Sequence, residues 1–205
     1  MAQPRRLISK RQLEIQLGRL RILENPQLKL EQYPVSPRVA SEILQLAGFE
    51  HQDLQGQVID LGTGTGRLAI GAALMGAERI LGVDVDPRAI KLARLNARNA
   101  RVSVEWIASD LDAVRGRFDA VVMNPPYGTR RPHEDIRFLS KAMELAPVAY
   151  SIHKSSTRDF LLGFSKKQRW RVDGVRSVSM EIPHLFEFHG KKWKTVQVDL
   201  YRVTR

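Results

Sequence analysis

Residues 58–66 leave a chain of this kind few ways to fold. Val58, Ile59 and Leu61 make a short apolar strand, Gly62-Thr63-Gly64-Thr65-Gly66 follows at once, and Leu68, Ile70 and Leu74 then suit one helix. Glycines allow a tight turn and let a ligand approach the backbone, and a helix that opens straight after the turn offers its free N–H groups. Strand, glycine turn and helix together form a nucleotide-cofactor fingerprint. The alternation continues: strands are expected over 79–83, 102–107, 118–123 and 148–153, and helices over 87–99, 135–145 and 157–168. Such a pattern implies a parallel α/β sheet wound on both faces, with ligands gathering at the carboxyl ends of its strands. Gly62, Asp84, Asp110 and Asn124 all follow expected strand ends, so one crevice can contain them.

Spacing narrows the cofactor. A dinucleotide-binding turn reads G-x-G-x-x-G and would place glycine at 67, where Arg67 stands; the G-x-G-x-G form resembles that of methyltransferases. Asp84 closes the second strand about twenty residues past the glycines, where an acid accepts both hydroxyls of a ribose. Asp86, before Pro87, better suits the cap of the next helix. Asp110 is placed either for the adenine amine of a cofactor or as a surface loop aspartate.

The apolar run 118–123 ends in Asn124-Pro125-Pro126-Tyr127-Gly128. Proline fixes φ and donates no hydrogen bond, so a strand stopped this way continues into a rigid loop. The Asn124 amide, the Pro125 carbonyl and the Tyr127 ring suit a planar molecule bearing an NH₂ group. Two acceptors hold the two amine protons while the ring stacks on the base. A conjugated amine is a poor nucleophile, and holding both protons favours a pyramidal nitrogen with a directed lone pair. Catalysis of this kind is positioning and electrostatics, with no shifted side-chain pKa required. A plain strand-terminating turn is the alternative. The four residues resemble the Asn-Pro-Pro-Tyr signature of S-adenosylmethionine-dependent amino-methyltransferases, which act on adenine N6, cytosine N4 or glutamine amides.

Outside this core, Leu13, Leu17 and Leu20 predict an amphipathic helix over 9–23, ended by Asn25-Pro26. Residues 30–37 contain two prolines that forbid regular structure, and a helix over 37–47 begins with proline in its first turn. The extended aromatic segment between these helices is either a linker or a lid. At the other end, 171–182 and 195–203 alternate as a terminal strand pair. The whole reads as one domain over 1–205, with 1–48 as a helical lid segment and 49–205 as the catalytic core.

Lysine and arginine number 33 against 22 acidic residues, a net charge of +11. That excess favours a polyanionic partner, RNA first. Arg5-Arg6, Lys10-Arg11, Arg130-Arg131, Lys166-Lys167 and Lys191-Lys192-Trp193-Lys194 are candidates for a backbone groove, with Trp193 placed to stack on a base. With no cysteine, disulfides, thiol chemistry and cysteine-based zinc sites are excluded. No histidine has a partner at metal-ligand spacing, so no metal is expected. No apolar run reaches membrane-spanning length and residues 1–10 lack the apolar core of a secretion signal, so a cytoplasmic protein is expected. In His153-Lys154-Ser155-Ser156-Thr157, Ser156 or Thr157 is expected to cap the next helix, and Lys154 is a phosphate candidate.

Four segments carry a resemblance over most of the chain: Leu30-Glu31-Gln32-Tyr33-Pro34, Asn124-Pro125-Pro126-Tyr127-Gly128-Thr129, the run from Tyr150 to Arg158, and Val198-Asp199-Leu200-Tyr201-Arg202. Together they resemble the archaeal and eukaryotic methyltransferase-like protein five family, which makes N6-methyladenosine in small-subunit ribosomal RNA. The resemblance implies a class I, Rossmann-like seven-stranded sheet with helices on both faces and a terminal antiparallel strand pair. It implies that Gln32, Gly62, Thr65, Asp84 and Asp110 contact S-adenosylmethionine, and that Asn124, Pro125, Pro126 and Tyr127 form the catalytic loop. A small zinc-binding activator protein is a candidate partner. Val35 stands where a threonine that touches the cofactor is expected, with Ser36 as a candidate substitute. Rival readings are a release-factor glutamine methyltransferase, a DNA adenine methyltransferase, and a non-catalytic RNA-binding ribosome-assembly factor.

Overall fold

The computed structural model describes residues 8–128, 133–183 and 193–205. Seven strands form one sheet: β1 (Gln57–Leu61), β2 (Arg79–Asp84), β3 (Glu105–Ala108), β4 (Ala120–Met123), β5 (Val148–Lys154), β6 (Arg171–Pro183) and β7 (Trp193–Thr204). Their order across the sheet is β3-β2-β1-β4-β5-β7-β6. The first five run parallel, whereas β7 lies antiparallel to both β5 and β6. Among the described residues six α-helices accompany them: α1 (Lys10–Gly18), α2 (Pro37–Gln45), α3 (Arg67–Leu74), α4 (Pro87–Ala100), α5 (Glu134–Leu145) and α6 (Arg158–Lys167).

Period-two alternation divides the core between the two faces of the sheet. From β1 and β4, Val58, Ala120 and Val122 pack with Leu13, Leu17, Ile43, Leu44 and Ile70 of α1, α2 and α3. Ile59, Leu61, Val121 and Met123 point the other way, onto Leu139 and Met143 of α5 and Leu161 of α6. Each such aliphatic side chain, once fully buried, contributes roughly 1.5–3 kcal/mol. β4 is therefore apolar and buried on both sides.

Side-chain caps set three of the helix starts. Ser9 and Gln12 form a capping box on α1. Ser36 accepts the N–H of Val39 ahead of Pro37 on α2, and Asp86 accepts the N–H of Arg88 ahead of Pro87 on α4. The ends depart from expectation. α1 stops at Gly18 and not at Leu23, because Asn96 of α4 binds both the N–H and the carbonyl of Arg21 and pulls that stretch out of the helix. α2 passes into a π-helical turn over Leu46–Glu50. β3 begins at Glu105, three residues later than its alternating pattern suggests.

Beside β5, Thr157 occupies the N-cap position of α6 but makes no side-chain cap bond; its hydroxyl donates to the Lys154 carbonyl. Ser155 donates instead to Asp199 of β7, which is fully buried. Burial opposes the Asp199 charge, but bonds from Arg158, Ser155 and Ser177 outweigh it and hold the carboxyl at about 2. This network ties α6, β6 and β7 to the end of β5, next to the loop after β4.

Candidate active site

A cavity of about 510 Å³ opens at the carboxyl ends of β1, β2 and β4, within the range of small-molecule sites. The glycine turn forms its floor: Gly62 and Gly64 have φ of 68° and 55°, a region in which side chains are strained. No protein atom lies within 4 Å of the place a Cβ on Gly64 would take. The Gly64 backbone thus faces open ligand space. Beneath the turn, Asn96 of α4 donates to the Thr65 carbonyl at 2.9 Å, fixing where the turn sits.

Asp84 lies at the cavity wall, 8% exposed. Its two oxygens accept the N–H groups of Gly64 and Asp86, each at 2.8 Å. An ionised carboxylate has about four acceptor sites, so these bonds leave capacity for a pair of hydroxyls. Burial raises its pKa against those bonds. Asp60 also lines the cavity, and burial pushes its carboxyl up to about 7. One Asp60 oxygen accepts from Thr63 at 2.6 Å and from the Ala69 N–H at 2.9 Å, while Oδ1 is buried with no protein partner. Asp110 sits at the exposed rim, capping a 3-10 turn over Leu111–Ala113 and accepting from Arg137 at 2.6 Å. Asp110 is thus an exposed loop aspartate that also lines the cavity.

Residues 27–35 run across this cavity as a strap. A 3-10 turn over Leu28–Leu30 leads to Glu31 in the left-handed region, φ 48°. The Gln32 side chain accepts the Gln27 N–H and donates to Asp86 at 2.9 Å. Farther along, Arg67 donates to the Val35 carbonyl. Val35 itself is buried, and the Ser36 hydroxyl is taken up in capping α2.

At the end of β4 the Asn124 side chain donates from Nδ2 to the Tyr33 carbonyl at 3.3 Å, while its Oδ1 is buried without a hydrogen-bond partner. A buried acceptor left unpaired costs about 1–3 kcal/mol unless a ligand supplies the donor. Asn124 and Pro126 line the cavity; Pro125 and Tyr127 do not. The Tyr127 ring packs against the core, with the Lys154 ammonium 5.1 Å from its centroid and its hydroxyl buried without a partner. Burial, and then the charge of Glu31, push the Tyr127 pKa upward.

The structure thus brings Gln32, Gly62, Thr65, Asp84, Asp110, Asn124 and Pro126 around one space. Sequence reasoning missed Asp60, Arg67, Glu31 and Phe138, which line it too. An acid inside the apolar strand at Asp60 is a signal that was open to reading; Phe138 and Glu31 arrive only through tertiary packing. Of the basic clusters, Lys10 pairs with Glu42 and Lys166-Lys167 end α6. Arg5-Arg6, Arg130-Arg131 and the side chains of Lys191-Lys192-Trp193-Lys194 lie outside the described residues. Among the described residues no helix is long and apolar enough to cross a membrane, and no cluster of three or more acidic or histidine groups could hold a metal.

The methyltransferase small domain matches residues 38–146. The rRNA N(6)-adenosine-methyltransferase METTL5 of Danio rerio is 33% identical over 202 residues, covering 95% of this chain and 98% of that protein. Its Drosophila melanogaster counterpart is 34% identical, covering 94% of each chain. This chain belongs to the METTL5 methyltransferase family. The crystal structure of PH1948 from Pyrococcus horikoshii is 37% identical and superposes with a TM-score of 0.89, covering 98% of this chain and 99% of that one. The seven-stranded sheet with its antiparallel end is the class I methyltransferase architecture, and the cofactor of a METTL5-family enzyme is S-adenosylmethionine. The open space over Gly64, the Asp84 carboxylate and the cavity volume fit that molecule.

Proposed function

We propose that the protein makes N6-methyladenosine in small-subunit ribosomal RNA. The observation that carries this reading is the buried, unpaired Oδ1 of Asn124 at the cavity wall. It is an acceptor in want of a donor, and an exocyclic amine supplies one. S-adenosylmethionine supplies an electrophilic methyl group on a sulfonium. Gln32, Gly62, Thr65, Asp84 and Asp110 hold the cofactor, with Asp84 accepting its ribose hydroxyls. The target adenosine leaves its stack at a cost of a few kcal/mol. Asn124 Oδ1 and the Pro125 carbonyl accept the two N6 protons and direct the nitrogen lone pair at the methyl group. The nitrogen loses a proton after it has been alkylated, so no side chain need act as a strong base.

Stacking on Tyr127 requires the base to replace Lys154 on the ring face. Lys154 then turns to a phosphate of the RNA. In this reading residues 1–48 act as a lid on the 49–205 core within one domain, a small zinc-binding protein is the candidate activator, and the enzyme works in the cytoplasm.

The test is transfer of labelled methyl to deproteinised ribosomal RNA, genomic DNA and release factor, each with and without the activator, and with the product identified by mass spectrometry. N6-methyladenosine in small-subunit RNA is the expected product; methylglutamine would instead place the chain with the glutamine enzymes. Asn124→Ala is expected to lower turnover by about 100-fold or more with cofactor binding intact, and Asp84→Ala to weaken cofactor binding. Near-normal turnover in Asn124→Ala would refute the mechanism.

A further inference from the structure

Pro125 and Pro126 offer no N–H, so after Asn124 the first main-chain donor that can hold the loop is Tyr127. That N–H is bound by Glu31: its Oε2 accepts from Tyr127 N at 2.9 Å, across 96 residues of sequence. Glu31 is 8% exposed and has a backbone of its own that is closely fixed. Its N–H bonds the Leu28 carbonyl, its φ is 48°, and its carbonyl accepts the Tyr33 N–H at 2.7 Å. Two residues on, the Tyr33 carbonyl accepts Nδ2 of Asn124. The two bonds close a ring of contacts: carboxylate to loop N–H, then strap carbonyl to loop amide.

The second bond has a chemical consequence. The two ends of an asparagine amide are alike in size and opposite in hydrogen bonding. A carbonyl placed against one end selects NH₂ there and turns the oxygen the other way. In this site that oxygen is the buried, unpaired Oδ1 of a residue that lines the cavity. The strap therefore decides whether the loop presents an acceptor or a donor to the incoming amine.

We propose that Glu31 is a positioning residue for methyl transfer: by hydrogen-bonding the Tyr127 N–H it clamps the strap to the loop, so that the Tyr33 carbonyl keeps Asn124 Oδ1 turned toward the acceptor nitrogen. This rests on the reading of Asn124 as the acceptor of the amine protons. The strap's other anchors, Gln32 on Asp86 and Arg67 on the Val35 carbonyl, lie on the cofactor side and do not involve Glu31. Glu31 lines the same cavity, but these cofactor-side bonds do not depend on it, so its loss should fall chiefly on the rate.

The experiment compares Glu31→Ala, Glu31→Gln and Asn124→Ala with the wild type in single-turnover methylation of ribosomal RNA at saturating cofactor. Calorimetric cofactor affinity and the melting temperature are measured alongside. Glu31→Ala is expected to slow the methyl-transfer step by about 100-fold, the scale of a small misplacement of a reacting group, with cofactor Kd within about threefold of wild type. Glu31→Gln retains an oxygen acceptor for the Tyr127 N–H and should recover at least about tenfold of that loss. If Glu31→Ala reacts at the wild-type rate while Asn124→Ala is slow, the clamp is overturned and the reading of Asn124 stands. Normal rates in both variants overturn that reading and the clamp with it. A Glu31→Ala defect confined to cofactor Kd or melting temperature, or a Glu31→Gln variant as slow as Glu31→Ala, also overturns the proposal; should Glu31→Ala fail to fold, a wild-type cofactor Kd with a rate loss greater than about tenfold in Glu31→Gln does so too.

Discussion

Tyr127 and Asn124 both carry a buried polar atom without a partner, but the two orphans differ in kind. The Asn124 oxygen belongs to a residue that lines the cavity, whereas the Tyr127 hydroxyl belongs to a ring packed against the core. Removing the hydroxyl takes away an unmet desolvation cost and leaves the aromatic face. Tyr127→Phe is thus expected to keep turnover within about threefold and to leave stability unchanged or higher by up to about 1 kcal/mol. Thermal melts and initial rates check this; a loss of turnover beyond tenfold would mean that the hydroxyl meets the substrate. Residue positions were legible where chemistry and local position agree. Asp86 caps α4 and Asp84 faces the cavity, as their places before Pro87 and after β2 suggest. Thr157 sits at the N-cap position, but its hydroxyl turns back to the Lys154 carbonyl three residues earlier, a local alternative to capping. Glu31 had no local signal, since its partner lies far along the chain.

The elements around the site divide in the same way. The strand, glycine turn and α3 were readable because spacing alone specifies them, and the tight turn tolerates little else. Gly64 gives the sharpest test of that turn. Alanine there places a side chain at a positive φ, with strain of roughly 1–2 kcal/mol, and puts its methyl group into space no protein atom fills. Gly64→Ala is expected to fold, to melt slightly lower, and to bind S-adenosylmethionine at least about tenfold more weakly by calorimetry. Unchanged affinity would place the cofactor away from the turn. The true end of α1 was hidden, since leucine spacing continues to Leu20 while the bonds from Asn96 override it. Nor did any local pattern give the strand order, because pairing between distant strands is fixed by tertiary packing.

Across the whole molecule, buried titratable groups set how stability responds to acid. Burial holds the His153 pKa at about 3 against an ordinary 6.5. Between those values the unfolded chain binds a proton that the folded one refuses, so this contribution is full above 6.5 and is lost as pH falls toward 3. Asp60 acts oppositely. Its folded pKa is about 7 against 3.8, so its contribution is full below 3.8 and is lost as pH rises to 7. The two slopes oppose each other between 3.8 and 6.5. Asp60→Asn removes one of them, and over that window its melting temperature should climb with pH more steeply than that of wild type; parallel curves in scanning calorimetry would assign Asp60 an ordinary pKa. The placement of β7 between β5 and β6 bears on how the molecule is made. During synthesis, β6 emerges before β7, the strand it pairs with among the described residues, and β5 waits with one side open. The sheet can close only once residues 193–204 have left the ribosome, so this half of the fold is completed late, and until then two strand edges are exposed to the crowd around the nascent chain.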